Sequence, residues 1–391
     1  MMTIIKLAFR NLIGAGFRTW LNVFILSISF VIIIWHKGML DGWDRQARTD
    51  MIAWEYGGGQ YWQKNYDPYD PFTLSESHSE IPEEFRLMVE KNELLPILIA
   101  QGTIYPEGRV QSILIKGIKT DQNILKIPTE KLQKNSDAIQ ALIGSNMAKS
   151  NHLDSGEFVT LRWRDLNGTF DAKDIQIAGI FKTNAPSVDN SQIWISLNEL
   201  RSMLKTPGEA TILVKRTNDI PTVQLKNWEF KNHDFLLADI DEIIKSKNIG
   251  GSIFWFILLL LAMLAIFDTQ VLSIFRRQKE IGTYIALGMT KRQVVGLFTV
   301  EGAFHSVLAM LVGAIYGIPL FIWQANTGIR FPMEGQDYGL AMAEVMYPAY
   351  SLGLVVGTIV VIMITTLFVS YLPSRKISKM KPTEALRGKL Q

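Results

Sequence analysis

Among its 391 residues the chain has no cysteine, so no disulfide and no thiolate-bound metal can hold any part of it together. No G-x-x-x-x-G-K-[ST] phosphate loop occurs, which excludes nucleotide hydrolysis by that route. The five histidines, His36, His78, His152, His233 and His305, are scattered without H-E-x-x-H spacing, and there is no G-x-S-x-G nucleophile elbow. The expectation is a chain with no catalytic residue, no metal site and no cofactor of its own, and with no nucleic-acid partner. No repeat with a period of about 20 to 50 residues is visible either.

Charge is scarcest in four apolar runs, Phe17 to Trp35, Ile253 to Ile274, Val294 to Trp323 and Tyr350 to Val369. The second carries only Asp268 and the third only Glu301. Each can cross a hydrocarbon core roughly 30 Å thick as a helix of about 20 residues. The expected fold class is a membrane protein with four transmembrane α-helices and a large α+β extracytoplasmic domain inserted between helices 1 and 2. The corresponding map is 1–36 for the N-terminal segment and first span, 37–249 for the domain with helical stalks, and 250–274 for the second span. A cytoplasmic loop at 275–293 leads to a third span at 294–323, a short outer loop at 324–349, a fourth span at 350–372 and a tail at 373–391.

Residues 37–249 hold 25 Lys and Arg against 30 Asp and Glu, whereas the remainder holds 15 against 7. Positive charge close to span ends stays on the cytoplasmic side. Lys6, Arg10 and Arg18 precede or begin span one, Arg276, Arg277, Lys279, Lys291 and Arg292 lie between spans two and three, and Arg375, Lys376, Lys379, Lys381, Arg387 and Lys389 follow span four. All three groups place both termini in the cytoplasm. The loop after span three has Arg330 against Glu334, Asp337 and Glu344, which fits the outside. Ile33-Ile34-Trp35-His36-Lys37 is too bulky for a signal-peptidase site, so span one reads as an uncleaved anchor.

Beyond span one, Met39, Trp43, Ala47 and Met51 recur every four residues, extending the helix as a stalk, and Asp239 to Asn248 reads as the returning stalk. Gly250-Gly251 marks a joint. Tyr56 to Phe72 is rich in glycine, proline and aromatics; it reads as a surface loop whose aromatics either pack the domain or, through Tyr61, Trp62 and Tyr66, contact cargo or a partner. Strands are expected at Ile97 to Tyr105, Val110 to Ile118, Gln192 to Ile195, Ala210 to Lys215 and Phe235 to Ala238. A hairpin should turn at Asn167-Gly168, which also accounts for the Asn-Gly-Thr glycosylation match there. Helices are expected at Pro82 to Lys91, Ser136 to Asn151, Leu197 to Leu204 and Pro221 to Trp228.

The loop between spans two and three reads as a helix, a sharp stop and a restart. Ile281, Tyr284, Ile285 and Leu287 form its apolar side, Gly288 ends the helix, and Thr290 with Gln293 is a capping box for the next one. Either another protein grips such a segment, or it lies as an amphipathic helix on anionic lipid. In the spans, Gly313-x-x-x-Gly317 and Gly353-x-x-x-Gly357 offer small-residue strips for packing within the chain or against a second subunit. Asp268 and Glu301 read as structural or transmission residues.

Glu280-Ile281-Gly282, then Ala286-Leu287-Gly288-Met289-Thr290-Lys291-Arg292-Gln293, then Glu301-Gly302, resemble the signature of the FtsX/MacB/LolC permeases of ATP-binding-cassette complexes. Pro373-Ser374-Arg375-Lys376 and Lys381-Pro382-Thr383-Glu384-Ala385-Leu386-Arg387 resemble that family's ending. Segments around Gly117, Ile143 to Ala148, Gly156 to Leu161 and Ala178 to Phe181 are most similar to LolC/LolE and unfused MacB-like permeases. Asp268 departs from the family, where an uncharged polar residue is commoner. The resemblance implies the permease subunit of a type VII ABC transporter in the bacterial inner membrane. ATP and Mg would sit on a separate ATPase subunit, docked through Arg276, Arg277, Lys279, Glu280, Ile281, Gly282, Ala286, Leu287, Gly288, Thr290, Lys291, Arg292 and Gln293. It further implies a second permease subunit, identical or not, lipoprotein or other amphiphilic cargo, and a periplasmic adaptor or carrier. The alternatives within the family are drug or peptide efflux of the MacB kind and an FtsX-like regulator that transports nothing.

Overall fold

A computed structural model of the chain describes residues 17–133, 138–330 and 345–379. Lys6, Arg10, Glu334, Asp337, Glu344 and the tail motif at 381–387 lie outside the described residues.

The chain opens with α1 (Phe17–Met51), a π-helical turn (Ile52–Tyr56), β1 (Gln60–Gln63), β2 (Ser79–Glu80), α2 (Glu83–Glu90), β3 (Leu94–Ile104), β4 (Gln111–Ile118), β5 (Ile139–Gly144) and α3 (Ser145–Asn151). There follow β6 (Phe158–Arg164), β7 (Phe170–Phe181), α4 (Pro186–Asn190), β8 (Gln192–Ser196), α5 (Leu197–Leu204), β9 (Glu209–Ala210), β10 (Ile212–Lys215), β11 (Trp228–Lys231) and α6 (His233–Leu236). It ends with α7 (Ala238–Arg276), α8 (Gln278–Ala286), α9 (Lys291–Thr327), β12 (Ile329–Arg330), β13 (Val345–Met346) and α10 (Leu352–Ser374). Two compact units result, a sheet unit over Arg45–Glu242 and a helical unit containing Ile243–Arg330 and Val345 onward together with the residues before Arg45.

In the sheet unit nine strands run in the order β11-β1-β10-β3-β4-β8-β5-β7-β6. The last also pairs with β3, Gly102 opposite Trp163 and Ile104 opposite Leu161, so six strands close a ring. Gly102 permits the closure, because a Cβ there would come within 2.6 Å of Ile115 and 3.2 Å of Leu161. Leu98, Ala100, Ile115, Leu161, Ile177 and Ile195 share one core cluster with Leu197 and Leu200 of α5. The opposite side chains of β3, Leu95, Ile97 and Ile99, share another with Trp194 and with Met51 at the end of α1. Apolar cover on both faces explains why β3 and β5 read as continuous apolar runs without alternation.

The expected β6–β7 hairpin is present, with Val159 opposite Ile175 and the Asp165 carboxylate accepting from Thr169 N at 2.8 Å across the turn. Several expectations are corrected. In the segment read as helix from Ser136, the described residues form β5 before α3, since every side chain from Ile139 to Gly144 is buried in a sheet. Phe235 to Ala238 is not a strand: Asn232 accepts from Phe235 N at 3.0 Å and caps α6 there. Pro221 to Trp228 forms no helix. Gly250-Gly251 makes no joint either, because α7 runs through it and Gly251 lies against His36, with an added Cβ only 3.0 Å from that ring.

Within the helical unit α1, α7, α9 and α10 are each long and apolar enough to cross a membrane. Val23, Leu26 and Phe30 of α1, Ala262 and Ile266 of α7, Ala309 of α9 and Ile362 of α10 form their shared core. Gly313 and Gly317 bring α9 onto Ser27 and Val31 of α1, so this strip serves packing within the chain. Gly353 and Gly357 meet nothing within 4 Å.

Candidate coupling site

The loop after span two folds into a compact knuckle. Arg277 holds the N-cap position of α8 without a side-chain cap, Gly288 takes a left-handed φ of +97° that stops the helix, and Thr290 restarts the chain as α9. The capping box is complete: Thr290 N donates to Gln293 Oε1 at 2.8 Å, and Gln293 N donates to Thr290 Oγ1 at 3.3 Å. Beneath it Ile274, Ile281, Val294, Val295, Phe298 and Ile377 are buried together.

Arg277 ties the knuckle to the spans. Its Nε donates to Glu280 at 2.7 Å, while one terminal nitrogen donates to both oxygens of Glu301 at 2.8 and 2.9 Å. The guanidinium lies over the Phe298 ring, 4.8 Å from its centroid. Burial works against the Arg277 charge, but Glu301, with help from Glu280, outweighs it and holds the guanidinium above its ordinary range. Next along α9, Gly302 is the contact that lets α10 approach, since a Cβ there would fall 2.1 Å from Ser370 Oγ. The Glu301-Gly302 dipeptide therefore combines an ion pair with a close helix crossing.

The residues named for docking divide into two sets. Arg276, Lys279, Glu280, Ala286, Leu287, Gly288, Thr290, Arg292 and Gln293 are exposed, and Lys291 is half-buried. Ile281 and Gly282 are buried, which removes them from any docking surface and makes them the knuckle's own core. Leu287, placed on the apolar side by its spacing, is instead 79% exposed, because α8 ends at Ala286 and the chain turns away. An apolar tip ringed by charge is suited to contact with another protein. Asp268 lies on an exposed face of α7.

Of the three aromatics named for cargo contact, Tyr61 is removed by burial. Tyr61 is fully buried in β1, between β10 and β11; it packs against Phe85 and its hydroxyl accepts from Val223 N at 2.9 Å. Trp62 and Tyr66 are half-buried and meet edge to face, with centroids 5.1 Å apart. Trp62 and Tyr66 pack against the domain core while staying partly exposed, and Phe72 is 90% exposed.

Two contacts escaped the sequence reading. Gly38 and Gly42 of α1 receive the chain before α10: an added Cβ would lie 2.3 Å from the Tyr350 ring and 2.3 Å from Tyr347 O respectively, and Ala349 N donates to Gly38 O at 2.8 Å. Their small-xxx-small spacing was the available signal. The second is the pair of buried Lys116 and largely covered Glu55, 2.8 Å apart, with Ser187 and Gln192 also donating to the carboxylate. No local pattern announces it.

Residues 252–382 match the family described as FtsX-like permease C-terminal. The chain is 25% identical over 232 residues to an uncharacterized ABC transporter permease of Methanocaldococcus jannaschii, a match covering 55% of each. It is 23% identical over 331 residues to the lipoprotein-releasing system transmembrane protein LolC of Neisseria meningitidis, covering 75% of this chain and 77% of LolC. With the macrolide export ATP-binding/permease protein MacB of Wolinella succinogenes it shares 26% identity over 195 residues, covering 50% of this chain and 27% of MacB. The chain thus spans about half the length of the first of these relatives and about a quarter of the last. Residues 252–382 thus carry an FtsX-like permease C-terminal domain, and with the knuckle, the four apolar helices and the inserted sheet unit the chain is similar to the FtsX/MacB/LolC-type ABC transporter permeases.

Proposed function

We propose that the chain is the permease subunit of a type VII ABC complex, moved by a separate ATPase that carries ATP and Mg and grips the α8 knuckle from the cytoplasm. The observation that carries this reading is the Arg277 bridge. One side chain joins the exposed coupling helix, through Glu280, to span three, through the buried Glu301, while its own backbone N donates to Ser273 O at the end of α7 at 3.0 Å. Displacement of α8 is therefore delivered to two spans at once. Four spans per subunit are few for enclosing a path, so the movement acts on cargo already outside the membrane. In the sheet unit the ends of both stalk helices are held by an ion pair between Arg48 and Asp241.

Two such subunits act as a pair, and the cargo is a lipoprotein or another amphiphile. The long match to LolC, which runs through most of this chain, supports that choice over drug efflux or signalling. Within the aromatic segment the contact role passes from Tyr61 to exposed Phe72.

Leu287→Glu tests the docking. The side chain is exposed, so membrane insertion and folding should be retained while ATP hydrolysis by the partner falls to the rate of the ATPase alone. Stimulation equal to wild type would remove the knuckle from the mechanism.

A further inference from the structure

We propose that a groove between α9 and α10, at the knuckle end of the bundle, binds one anionic glycerophospholipid of the adjacent leaflet. The groove encloses about 460 Å³ and is lined by Arg292, Val295, Gly296, Thr299, Val300, Tyr371 and Arg375. Its floor is apolar, because Thr299 spends its hydroxyl on Val295 O at 2.9 Å and leaves its methyl with the two valines. Its rim is cationic: two arginines and a tyrosine surround it, and among the described residues no carboxylate lines it.

Gly296 is the informative residue. It sits inside α9, where glycine costs helix stability, and an added Cβ would meet nothing within 4 Å. Close helix approach therefore does not explain it, in contrast to Gly302 on the same helix, whose Cβ would strike Ser370. What the missing side chain provides is depth in the groove.

The occupant follows from the chemistry. Two guanidinium groups match one phosphodiester, and the tyrosine adds a hydroxyl at headgroup level. A free phosphate would make no use of the apolar floor. Acyl chains would, and Phe368 and Leu372 continue the exposed apolar surface of α10 away from the rim. Long arginine side chains at a span end reach headgroups while their stems stay on apolar surface.

The test uses the full chain purified without any ATPase, so its outcome is separate from that of the docking reading. Native mass spectrometry would follow binding of phosphatidylglycerol and of phosphatidylcholine. One phosphatidylglycerol per chain should be retained, preferred roughly 25-fold, with each of the two arginines contributing about fivefold. Gly296→Leu, which grows into open space, should abolish retention without lowering the thermal transition, and Arg375→Gln should cut the preference roughly fivefold. Equal retention of the two lipids, or full retention by Gly296→Leu, would overturn the proposal. Displacement of the lipid by millimolar inorganic phosphate would do so as well. A chain ended at Lys379 should bind as the full chain does; a marked gain would assign the groove to the chain's own tail and sink the lipid reading.

Discussion

Among the described residues, each unit of the molecule contains a largely covered glutamate paired with a cation that lies over an aromatic ring, and the two pairs are built differently. Glu55 in the sheet unit draws its donors from three segments, Lys116, Ser187 and Gln192, and Lys116 lies 5.1 Å from the Trp194 centroid. Both partners are almost wholly covered. In the helical unit one arginine serves two carboxylates, Glu301 at 5% side-chain exposure and Glu280 at 54%. The first arrangement converges on the anion and fixes the end of α1 to the sheet. The second diverges from the cation and leaves one branch open to solvent, where a partner can compete for it. A fixed joint and an adjustable one are thus made from the same two charges.

Breaking the fixed joint should have the largest effect. Lys116→Ala leaves Glu55 buried without its cation and should cost about 3–5 kcal/mol, read as a lowered unfolding transition of the full chain in detergent. The double change Glu55→Leu with Lys116→Met should restore most of that loss, since an apolar pair carries no desolvation cost. If the single change were harmless, the pair would not anchor the turn.

The adjustable joint should respond less in stability and more in coupling. Arg277→Lys keeps the charge but loses the planar fork that reaches Glu280 and Glu301 together, at a cost of about 1–2 kcal/mol. Permease-stimulated ATP hydrolysis should fall while basal hydrolysis by the partner stays constant. A loss of stability with full stimulation would make Arg277 a packing residue only.

The smallest effect should follow Glu280→Ala. An exposed branch contributes at most about 1 kcal/mol, so the thermal transition should barely move, and whatever contribution exists should vanish in high salt. A drop as large as that of Lys116→Ala would show that the two joints are alike.

The sequence disclosed best what is local. The four spans, the capping box at Thr290 and Gln293, and the turn at Asn167-Gly168 each depend on residues within a few positions of one another. Helix α1 ran through its expected stalk because Trp43, Ala47 and Met51 face the interior at helical spacing. What was illegible depends on distant partners. Gln60 to Gln63 lacks a strand's apolar character, yet it is a strand because β10 and β11 flank it. β5 is apolar on both faces, a pattern shared by buried helices and central strands. In the candidate site, Glu301 was visible as a charge in an apolar run, but its partner lies 24 residues earlier. Which coupling residues face outward was fixed by where α8 ends.

The closure of β6 onto β3 sets how the sheet unit must fold. Leu161 meets Ile104 across 57 residues, so the ring cannot be completed until β4, β5 and much between them have been collected. Such long-range pairing is slow, on the order of milliseconds to seconds. Until it happens the end of β3 from Gly102 to Ile104 remains an open edge liable to pair with another chain. Once it happens β11 is left at the open end of the strand order, where Glu229 and Lys231 place charge on it. The ring therefore makes aggregation a hazard of the nascent domain and not of the finished one.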